Sequence, residues 1–363
     1  MAIQKISIQA FFLREGQYPV LDVRSPGEYA HAHIPGAYNL PLFSDEERKV
    51  VGTIYKQESR EKAIKAGLAY FGPKMVSLVE EAERIMKEHA ENSTGNSGPS
   101  GRQSTRTVIV HCWRGGMRSA GVAWLLDLYG FEVYTLSGGY KSFRRWCGQQ
   151  FQKEYPFTVL GGFTGSGKTK ILQDLKAGGN TILDLESLAA HKGSVFGHLG
   201  EPAQPSQEMF ENRLALALAD TAGAGNIWME DESQRIGNVN IPIELFRYIQ
   251  TKLVYFLEIP FDERLSHIVA GYGKFDKEKL ADGIIRLKKR LGGLETKTAL
   301  GFLETGDVYN CFRILLRYYD KYYLKSLMGK GDLEKTVKKI PCPDTVSEAN
   351  AHILLQHEQT EAL

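Results

Sequence analysis

Cysteine is scarce in this sequence: only Cys112, Cys147, Cys311 and Cys342 occur, and no two of them form a CxxC pair. That scarcity excludes a disulfide framework, and the wide spacing does not fit a zinc site. The chain also lacks any run of about 18 uncharged apolar residues, and its first residues lack the apolar core and cleavage site of a secretion signal. We therefore expect a cytoplasmic protein with no membrane partner.

An excess of charge of one sign is also missing, because the formal net charge of the 363 residues is only +2. This excludes a chain that binds polyanions over its whole surface, although local basic clusters can still contact nucleic acid. Hydrophobic residues at 42% and charged residues at 24% are typical of a globular protein. A chain of this length exceeds what one hydrophobic core usually organises, so the sequence predicts two domains.

In the first part of the chain, short apolar runs alternate with segments whose apolar residues have helical spacing. Three apolar segments predict strands, at 18–26, 107–111 and 132–136. Helical spacing at 119–129 separates two of them, which predicts a parallel α/β sheet within residues 1–150. The segment 91–106 is rich in Ser, Gly, Asn and Thr and predicts a surface loop of this domain.

The second part of the chain repeats the same alternation. Four apolar segments predict strands, at 157–160, 181–183, 227–229 and 253–257. Three segments with helical spacing lie between them, at 168–176, 206–220 and 243–250. We expect a doubly wound α/β domain over 151–330, with a helical part from 262 to 323. The residues 331–363 predict a peripheral C-terminal tail.

A cysteine stands where the strand at 107–111 ends, and the sequence there reads HCWRGGMRS. Two glycines let such a loop curl so that its amide N–H groups point inward, and the following helix adds its positive N-terminal end. A thiolate in that position is stabilised, so Cys112 is a candidate nucleophile. Arg118 can hold an oxyanion or a chalcogen-bearing group in a fork of hydrogen bonds, and Arg114 can assist.

Three further motifs accompany this loop, LDVRSPGEY at 21–29, HIPGA at 33–37 and LSGGY at 136–140. Together they resemble the rhodanese superfamily over residues 6–150. The resemblance implies that Cys112 carries a persulfide or, in phosphatase relatives, a phosphoryl group. The usual sulfurtransferase loop places its arginine one residue earlier than Arg118, and the length here is similar to that of the dual-specificity cell-cycle phosphatases. Both chemistries therefore remain open for this domain.

The sequence GFTGSGKT at 162–169 satisfies the Walker A pattern, follows the strand at 157–160 and opens a helical segment. The residues predicted to surround a diphosphate are Gly162, Gly165, Ser166, Gly167, Lys168 and Thr169. Backbone N–H groups and Lys168 would bind the phosphates, and the Thr169 hydroxyl is placed for Mg²⁺. Asp184, Glu230 and Asp231 compete for the metal or phosphate side of the site, and the sequence does not choose among them. It indicates no other metal-ligand set.

Two more segments, 183–197 and 230–237, look like second-domain signatures of one family. With the two loops, they make the chain resemble the tRNA 2-selenouridine synthase family almost end to end. The resemblance implies that selenium from selenophosphate replaces the sulfur of 2-thiouridine at the wobble position of tRNA, through an S-geranyl intermediate made from geranyl diphosphate. We then expect the P-loop to bind geranyl diphosphate and the Cys112 loop to serve the selenium step.

Other functions stay open from the residues alone. They are a rhodanese-type sulfurtransferase or a phosphatase with a regulatory nucleotide-binding domain, a fusion of phosphatase and kinase, and a noncatalytic nucleotide sensor. The partners that the resemblance implies are tRNA with a wobble 2-thiouridine and, transiently, a selenophosphate-producing enzyme. The basic residues expected to contact tRNA are Lys141, Arg144, Arg145, Lys288, Lys289 and Arg290.

Overall fold

The computed structural model describes residues 3–93, 106–328 and 336–361. The chain divides into two compact units, Met1–Gln149 and Gln150–Leu363. Most of the surface loop predicted at 91–106 lies outside the described residues. None of the helices in the described ranges combines the length and apolarity of a membrane span.

The first unit is a parallel sheet with helices between its strands. Its elements are β1 (Gln4–Ile6), α1 (Ile8–Phe12), β2 (Val20–Asp22), α2 (Pro26–His31), β3 (Tyr38–Asn39), α3 (Asp45–Gln57), α4 (Arg60–Phe71), α5 (Met75–Ser93), β4 (Thr107–His111), α6 (Met117–Tyr129), β5 (Glu132–Leu136) and α7 (Gly139–Gln150). The strand order is β1-β5-β4-β2-β3, and every pairing is parallel. The predicted parallel α/β sheet is confirmed.

The central strand β4 explains where the first site forms. All five of its residues are buried, as a strand covered on both faces of a parallel sheet requires. Val108 and Val110 join a core that also includes Val122 and Leu126 of α6. Because ligand sites of open parallel sheets lie beyond the carboxyl ends of the strands, the loop after His111 is in the expected position for a site.

The second unit has the same architecture with a larger helical part. Its elements are β6 (Phe157–Gly162), α8 (Lys168–Ala177), β7 (Ile182–Leu183), α9 (Leu185–Ala189), α10 (Gln207–Asp220), β8 (Ile227–Glu230), β9 (Arg235–Ile236), β10 (Val239–Asn240), α11 (Ile243–Ile249), β11 (Val254–Glu258), α12 (Phe261–Tyr272), α13 (Lys277–Leu291), α14 (Gly293–Glu304), α15 (Val308–Met328), β12 (Val337–Pro341) and α16 (Ser347–Glu361). The main sheet has the parallel order β12-β11-β6-β8-β7, and β9 and β10 form a separate antiparallel pair. The strand before the Walker A sequence is again the central one.

The C-terminal segment corrects one prediction. Residues 331–363 were expected to form a peripheral tail, but β12 pairs in parallel with β11 and completes the main sheet. Ile340 of β12 and Leu354 of α16 are fully buried, and α16 packs against α8. The apolar pattern did not predict this strand, because it lies at the sheet edge, where lysines such as Lys338 and Lys339 are common.

The helices α12 to α15 confirm the predicted helical part and have a core of their own. That core includes Leu265, Ile284, Ala299, Cys311 and Leu315, each nearly or fully buried. Burial raises the pKa of Cys311 to about 12, so this thiol is protonated and packs as a small apolar side chain.

Candidate functional site

The sulfur of Cys112 lies at the bottom of the loop between β4 and α6. The residue is only 3% exposed, but its surroundings are polar. The Gly116 N–H donates a hydrogen bond to Cys112 Sγ over 3.3 Å, and Ser119 Oγ lies 3.3 Å from the same sulfur. The Ser119 hydroxyl also donates to the Gly116 carbonyl oxygen over 3.0 Å, so its single proton is shared between that oxygen and the sulfur. The loop therefore offers donors to the sulfur, as the sequence predicted for a thiolate.

These contacts set the protonation of the sulfur. Burial raises the pKa of the Cys112 thiol, but the hydrogen bonds from Ser119 and Gly116 and the charge of Arg118 lower it by more. The net pKa lies below that of an ordinary cysteine. Burial moves the pKa of Cys342 in the opposite direction, to about 11. Cys112 is thus suited to act as a nucleophile, which Cys342 is not.

The shape of the loop depends on the LSGGY motif. The Tyr140 N–H donates to the Cys112 carbonyl oxygen and the Lys141 N–H donates to the Trp113 carbonyl oxygen, both over 2.9 Å. Gly139 allows this approach, because a Cβ there would lie 2.2 Å from the Cys112 carbonyl oxygen. The motif at 136–140 therefore acts as a brace for the cysteine loop.

Arg118 is held by a carboxylate that the sequence did not assign to the site. Its Nη1 donates to Glu28 Oε2 over 2.7 Å, and Glu28 also faces Arg48 Nε at 3.5 Å. Burial raises the pKa of Glu28, but the hydrogen bond and charge of Arg118, the Ser25 N–H and the charge of Arg48 together lower it by more, so Glu28 is ionised. An anion that binds Arg118 must compete with this carboxylate. Arg114 is exposed on the same loop.

A buried ion pair connects the motifs of the first unit. Arg24 donates to Asp22 over 3.0 Å from its backbone N–H and from Nε, and both residues are buried. The Arg24 guanidinium lies 3.9 Å above the ring of Tyr140, which belongs to the brace. The DVR sequence therefore has a structural role beneath the loop rather than a place in it.

The Walker A residues form a loop between β6 and α8. Lys168 Nζ donates to the Gly162 carbonyl oxygen over 3.0 Å, and the Ser166 hydroxyl donates to the Phe163 carbonyl oxygen. Gly165 has a φ of +85°, and a Cβ there would lie 2.8 Å from the Arg264 carbonyl oxygen. Lys168 therefore closes the loop on itself, and it can turn from the carbonyl to a phosphate that carries more negative charge.

Arg264 on α12 supports this loop and was not identified from the sequence. The residue is buried, and its Nη1 donates to the Thr164 carbonyl oxygen over 3.1 Å. Two further bonds, of 2.9 and 2.8 Å, join its guanidinium to Asp320 of α15. It stands 100 positions from Thr164 in the chain, so no local pattern could have indicated the contact.

The structure separates the three acids that the sequence left in competition. Asp184 accepts from the Ser187 N–H and caps α9, and Asp231 accepts from the Tyr323 hydroxyl over 2.7 Å. Glu230 is 1% exposed, and neither of its carboxylate oxygens has a hydrogen-bond partner among the described residues. Glu230 is therefore the predicted acid that retains an unused ligand group.

Another carboxylate, Glu186 of α9, reaches the P-loop and was missed. Thr169 Oγ1 donates to Glu186 Oε2 over 2.8 Å. Burial raises the pKa of Glu232 to about 8, with the charge of Glu186 as the next cause. Burial and the same neighbouring carboxylates also raise the pKa of Glu230. The sequence indicated the segment 183–197, which contains Glu186, as a family signature, but it assigned no role to Glu186 itself.

The basic residues expected at a tRNA surface have mixed environments. Lys141 and Arg145 of α7 are exposed, while Arg144 is half-buried. The other three, Lys288, Lys289 and Arg290, are exposed in the last turn of α13. Cations there stabilise the negative end of the helix, which accounts for them without a ligand. A role of either group in RNA binding stays a prediction.

The described residues contain no group of three or more His, Cys, Asp and Glu side chains arranged to hold a metal ion. At the P-loop, protein ligands for a cation are Thr169 and individual carboxylates. Mg²⁺ commonly binds one or two carboxylates and completes its shell with water and phosphate oxygens, so such a site fits these residues.

Both units match known families. Residues 155–338 match the family model described as tRNA 2-selenouridine synthase AAA domain, and residues 12–145 match the Rhodanese-like domain. A tRNA 2-selenouridine synthase of Bordetella bronchiseptica is 38% identical, over 89% of this chain and 91% of that relative. One of Hydrogenovibrio crunogenus is 36% identical, over 84% and 88%. One of Pseudomonas syringae pv. tomato is 34% identical, over 84% and 83%.

Proposed function

This chain belongs to the tRNA 2-selenouridine synthase family, an enzyme family, and from that membership we propose that it modifies tRNA by replacing the sulfur of wobble 2-thiouridine with selenium. The observation that supports this chemistry best is the position of the Cys112 sulfur, which accepts the Gly116 N–H bond at the end of the central strand. Two anion-binding loops, one with a nucleophile and one with a lysine, suit a reaction that uses two phosphorus-containing substrates.

The P-loop is the site that we assign to geranyl diphosphate. The N–H groups at the start of α8 and the ammonium group of Lys168, once it turns from the Gly162 carbonyl oxygen, would bind a diphosphate whatever its organic group is. In the reaction, the sulfur of 2-thiouridine forms a bond to the geranyl carbon, and the carbon–oxygen bond to pyrophosphate breaks. Lys168 would stabilise the negative charge that develops on the departing pyrophosphate. The product is S-geranyl-2-thiouridine.

The Cys112 loop is the site that we assign to the selenium step. Selenophosphate is a large oxyanion, and a loop with Arg118 six positions after Cys112 has room for one. Its binding would move Arg118 from Glu28 to the anion, since a doubly charged ligand competes well with one carboxylate. The selenium of selenophosphate would then form a bond to C2 of the base while the carbon–sulfur bond breaks and geranyl thiol departs, and water would cleave the phosphorus–selenium bond to release phosphate. A transient contact with the enzyme that produces selenophosphate would shorten the path of this reactive donor.

Mg²⁺ fits the P-loop as an optional partner of the diphosphate. Thr169 and the unpartnered carboxylate of Glu230 would hold it. Its charge would assist the departure of pyrophosphate. This chain would supply the hydroxyl and the carboxylate, and Lys168 would supply the remaining positive charge.

The test is a reconstituted reaction with the purified full-length protein. Thiolated tRNA is incubated with selenophosphate and geranyl diphosphate, and its nucleosides are separated and identified by mass spectrometry. Formation of 2-selenouridine that requires both co-substrates supports the proposal. Thiosulfate:cyanide sulfurtransferase activity or aryl phosphate hydrolysis, with unmodified tRNA, would favour the two rival functions of the first domain.

A further inference from the structure

One face of α15 carries a cation at every fourth position: Arg313, Arg317, Lys321 and Lys325. All four side chains are exposed. With a rise of 1.5 Å per residue, neighbouring cations are about 6 Å apart along the axis, and the row is about 18 Å long. We call these four residues the α15 cation row. The opposite face of the helix, which includes Phe312, packs into the helical core.

No carboxylate of α15 neutralises the cation row. Asp320 is the single acidic residue of this helix, and its two oxygens accept the bonds from Arg264 at 2.9 and 2.8 Å. In the described ranges, none of the four cations forms an ion pair. Like charges four residues apart on a helix repel each other, so the row is a source of strain that a bound polyanion would relieve.

Apolar and aromatic side chains accompany the row. An open groove of about 580 Å³ lies between α15 and the start of α12, and it is lined by Phe261, Arg317, Asp320, Lys321, Leu324 and Lys325. Asp320 is the one acidic residue of this lining, and both its oxygens already accept from Arg264. Tyr322 is 43% exposed, and its ring centroid is 4.6 Å from that of Tyr318. Exposed rings beside cations are the means by which proteins bind unpaired bases and their phosphates together.

We propose that the α15 cation row is the docking surface for the phosphate backbone of tRNA, with Tyr322 as a platform for an unpaired base. This inference rests on the proposed function, which supplies the RNA. A row of cations about 18 Å long can neutralise several phosphates of one strand. A helix that lies in a membrane surface carries a broad apolar face, whereas the described part of α15 exposes only Tyr309, Tyr322 and Leu324 as large apolar side chains beside the cations. An acidic peptide would use the cations but not the exposed tyrosine.

The experiment measures binding of thiolated tRNA to the full-length protein between 50 and 300 mM salt. The variant is Arg313→Gln/Arg317→Gln/Lys321→Gln/Lys325→Gln. Its matched control is Lys153→Gln/Lys176→Gln/Arg213→Gln/Arg247→Gln, which removes the same charge from exposed sites scattered over the second unit. The row variant should bind about 10- to 100-fold more weakly, and the slope of log affinity against log salt should fall by about three. The scattered variant should stay near the wild type.

Each result has one interpretation. Equal affinities and slopes for the two variants overturn the docking surface and leave the proposed function standing. A wild-type protein that does not retain thiolated tRNA at any salt overturns both. Row-dependent binding to phosphatidylserine vesicles with unchanged tRNA binding also overturns the surface. If the quadruple variant does not fold, the doubles Arg313→Gln/Arg317→Gln and Lys321→Gln/Lys325→Gln should each show about half of the slope change.

Discussion

Arg118 donates a 2.7 Å hydrogen bond to Glu28, 90 positions earlier in the chain, and so the arginine of the cysteine loop already has a carboxylate partner. Glu28 occupies the fork that an oxyanion would take, and it is half-buried against the loop. It therefore acts as an internal competitor that a substrate anion must displace. The strength of this competition can be measured.

Removing the charge of Glu28 should activate the loop. In Glu28→Gln protein, Arg118 is no longer neutralised, so the pKa of Cys112 should fall further and iodoacetamide should alkylate the thiol several-fold faster at pH 7. Glutamine keeps the capping-box contact with Ser25, so α2 should remain intact. The control is Glu61→Gln on the exposed surface of α4. A rate equal to that of the control would mean that Glu28 does not restrain Arg118.

Removing the hydroxyl of Ser119 should raise the pKa of Cys112, the opposite of the effect expected for Glu28→Gln. This hydroxyl, 3.3 Å from Cys112 Sγ, lowers the pKa of that thiol, so Ser119→Ala should raise it. The rate of alkylation as a function of pH reports the change, because only the thiolate reacts and the profile should move to higher pH. Ser77→Ala removes a hydroxyl from the surface of α5 and should leave the profile unchanged. A profile for Ser119→Ala at the wild-type position would exclude Ser119 as a stabiliser of the thiolate.

The P-loop lysine should control diphosphate affinity. Lys168→Ala removes a charge-assisted contact worth about 1.5–3 kcal/mol, so the dissociation constant of geranyl diphosphate should rise by about 10- to 100-fold. Calorimetric titration measures it directly. Lys170→Ala, two residues further along the same helix and exposed, is the matched control. Equal affinity in the two variants would remove the P-loop from prenyl diphosphate binding.

The neighbouring carboxylates Glu186, Glu230 and Glu232 predict how stability depends on pH. Burial raises the pKa of Glu232 to about 8, so the folded state disfavours its charged form. The folded protein then binds more protons than the unfolded chain between about pH 4.5 and 8, and stability should fall as pH rises through this range. The melting temperature should therefore fall between these pH values, and Glu232→Gln should make that fall smaller by a few °C. Glu244→Gln on α11 should leave it unchanged, and a decline as steep in Glu232→Gln as in the wild type would assign the effect to other groups.

The sequence predicted the elements that have a strong local signal. The strands at Thr107–His111 and Phe157–Gly162 are central in their sheets, and consecutive apolar residues reveal such strands. The strand Val337–Pro341 was missed because an edge strand needs only one buried side chain, Ile340, among its lysines. Local pattern and position in the sheet together explain which elements could be predicted.

The site was predicted to the same extent. Cys112 and Lys168 belong to motifs whose geometry is built from neighbouring residues, so their loops could be recognised in the sequence. The side chains that hold these loops come from elsewhere: Glu28 lies 90 positions from Arg118, and Arg264 lies 100 positions from Thr164. Such contacts arise from packing, and a single sequence carries no local signal for them.

In the proposed reaction both loops act on one tRNA, the P-loop in geranyl transfer and the cysteine loop in selenium transfer. The most direct measurement is mass spectrometry of wobble nucleosides after thiolated tRNA has reacted with selenophosphate, geranyl diphosphate and each variant. Lys168→Ala should leave 2-thiouridine, while Cys112→Ser should accumulate S-geranyl-2-thiouridine, and the wild type should form 2-selenouridine. Formation of 2-selenouridine by both variants at the wild-type rate would contradict the claim.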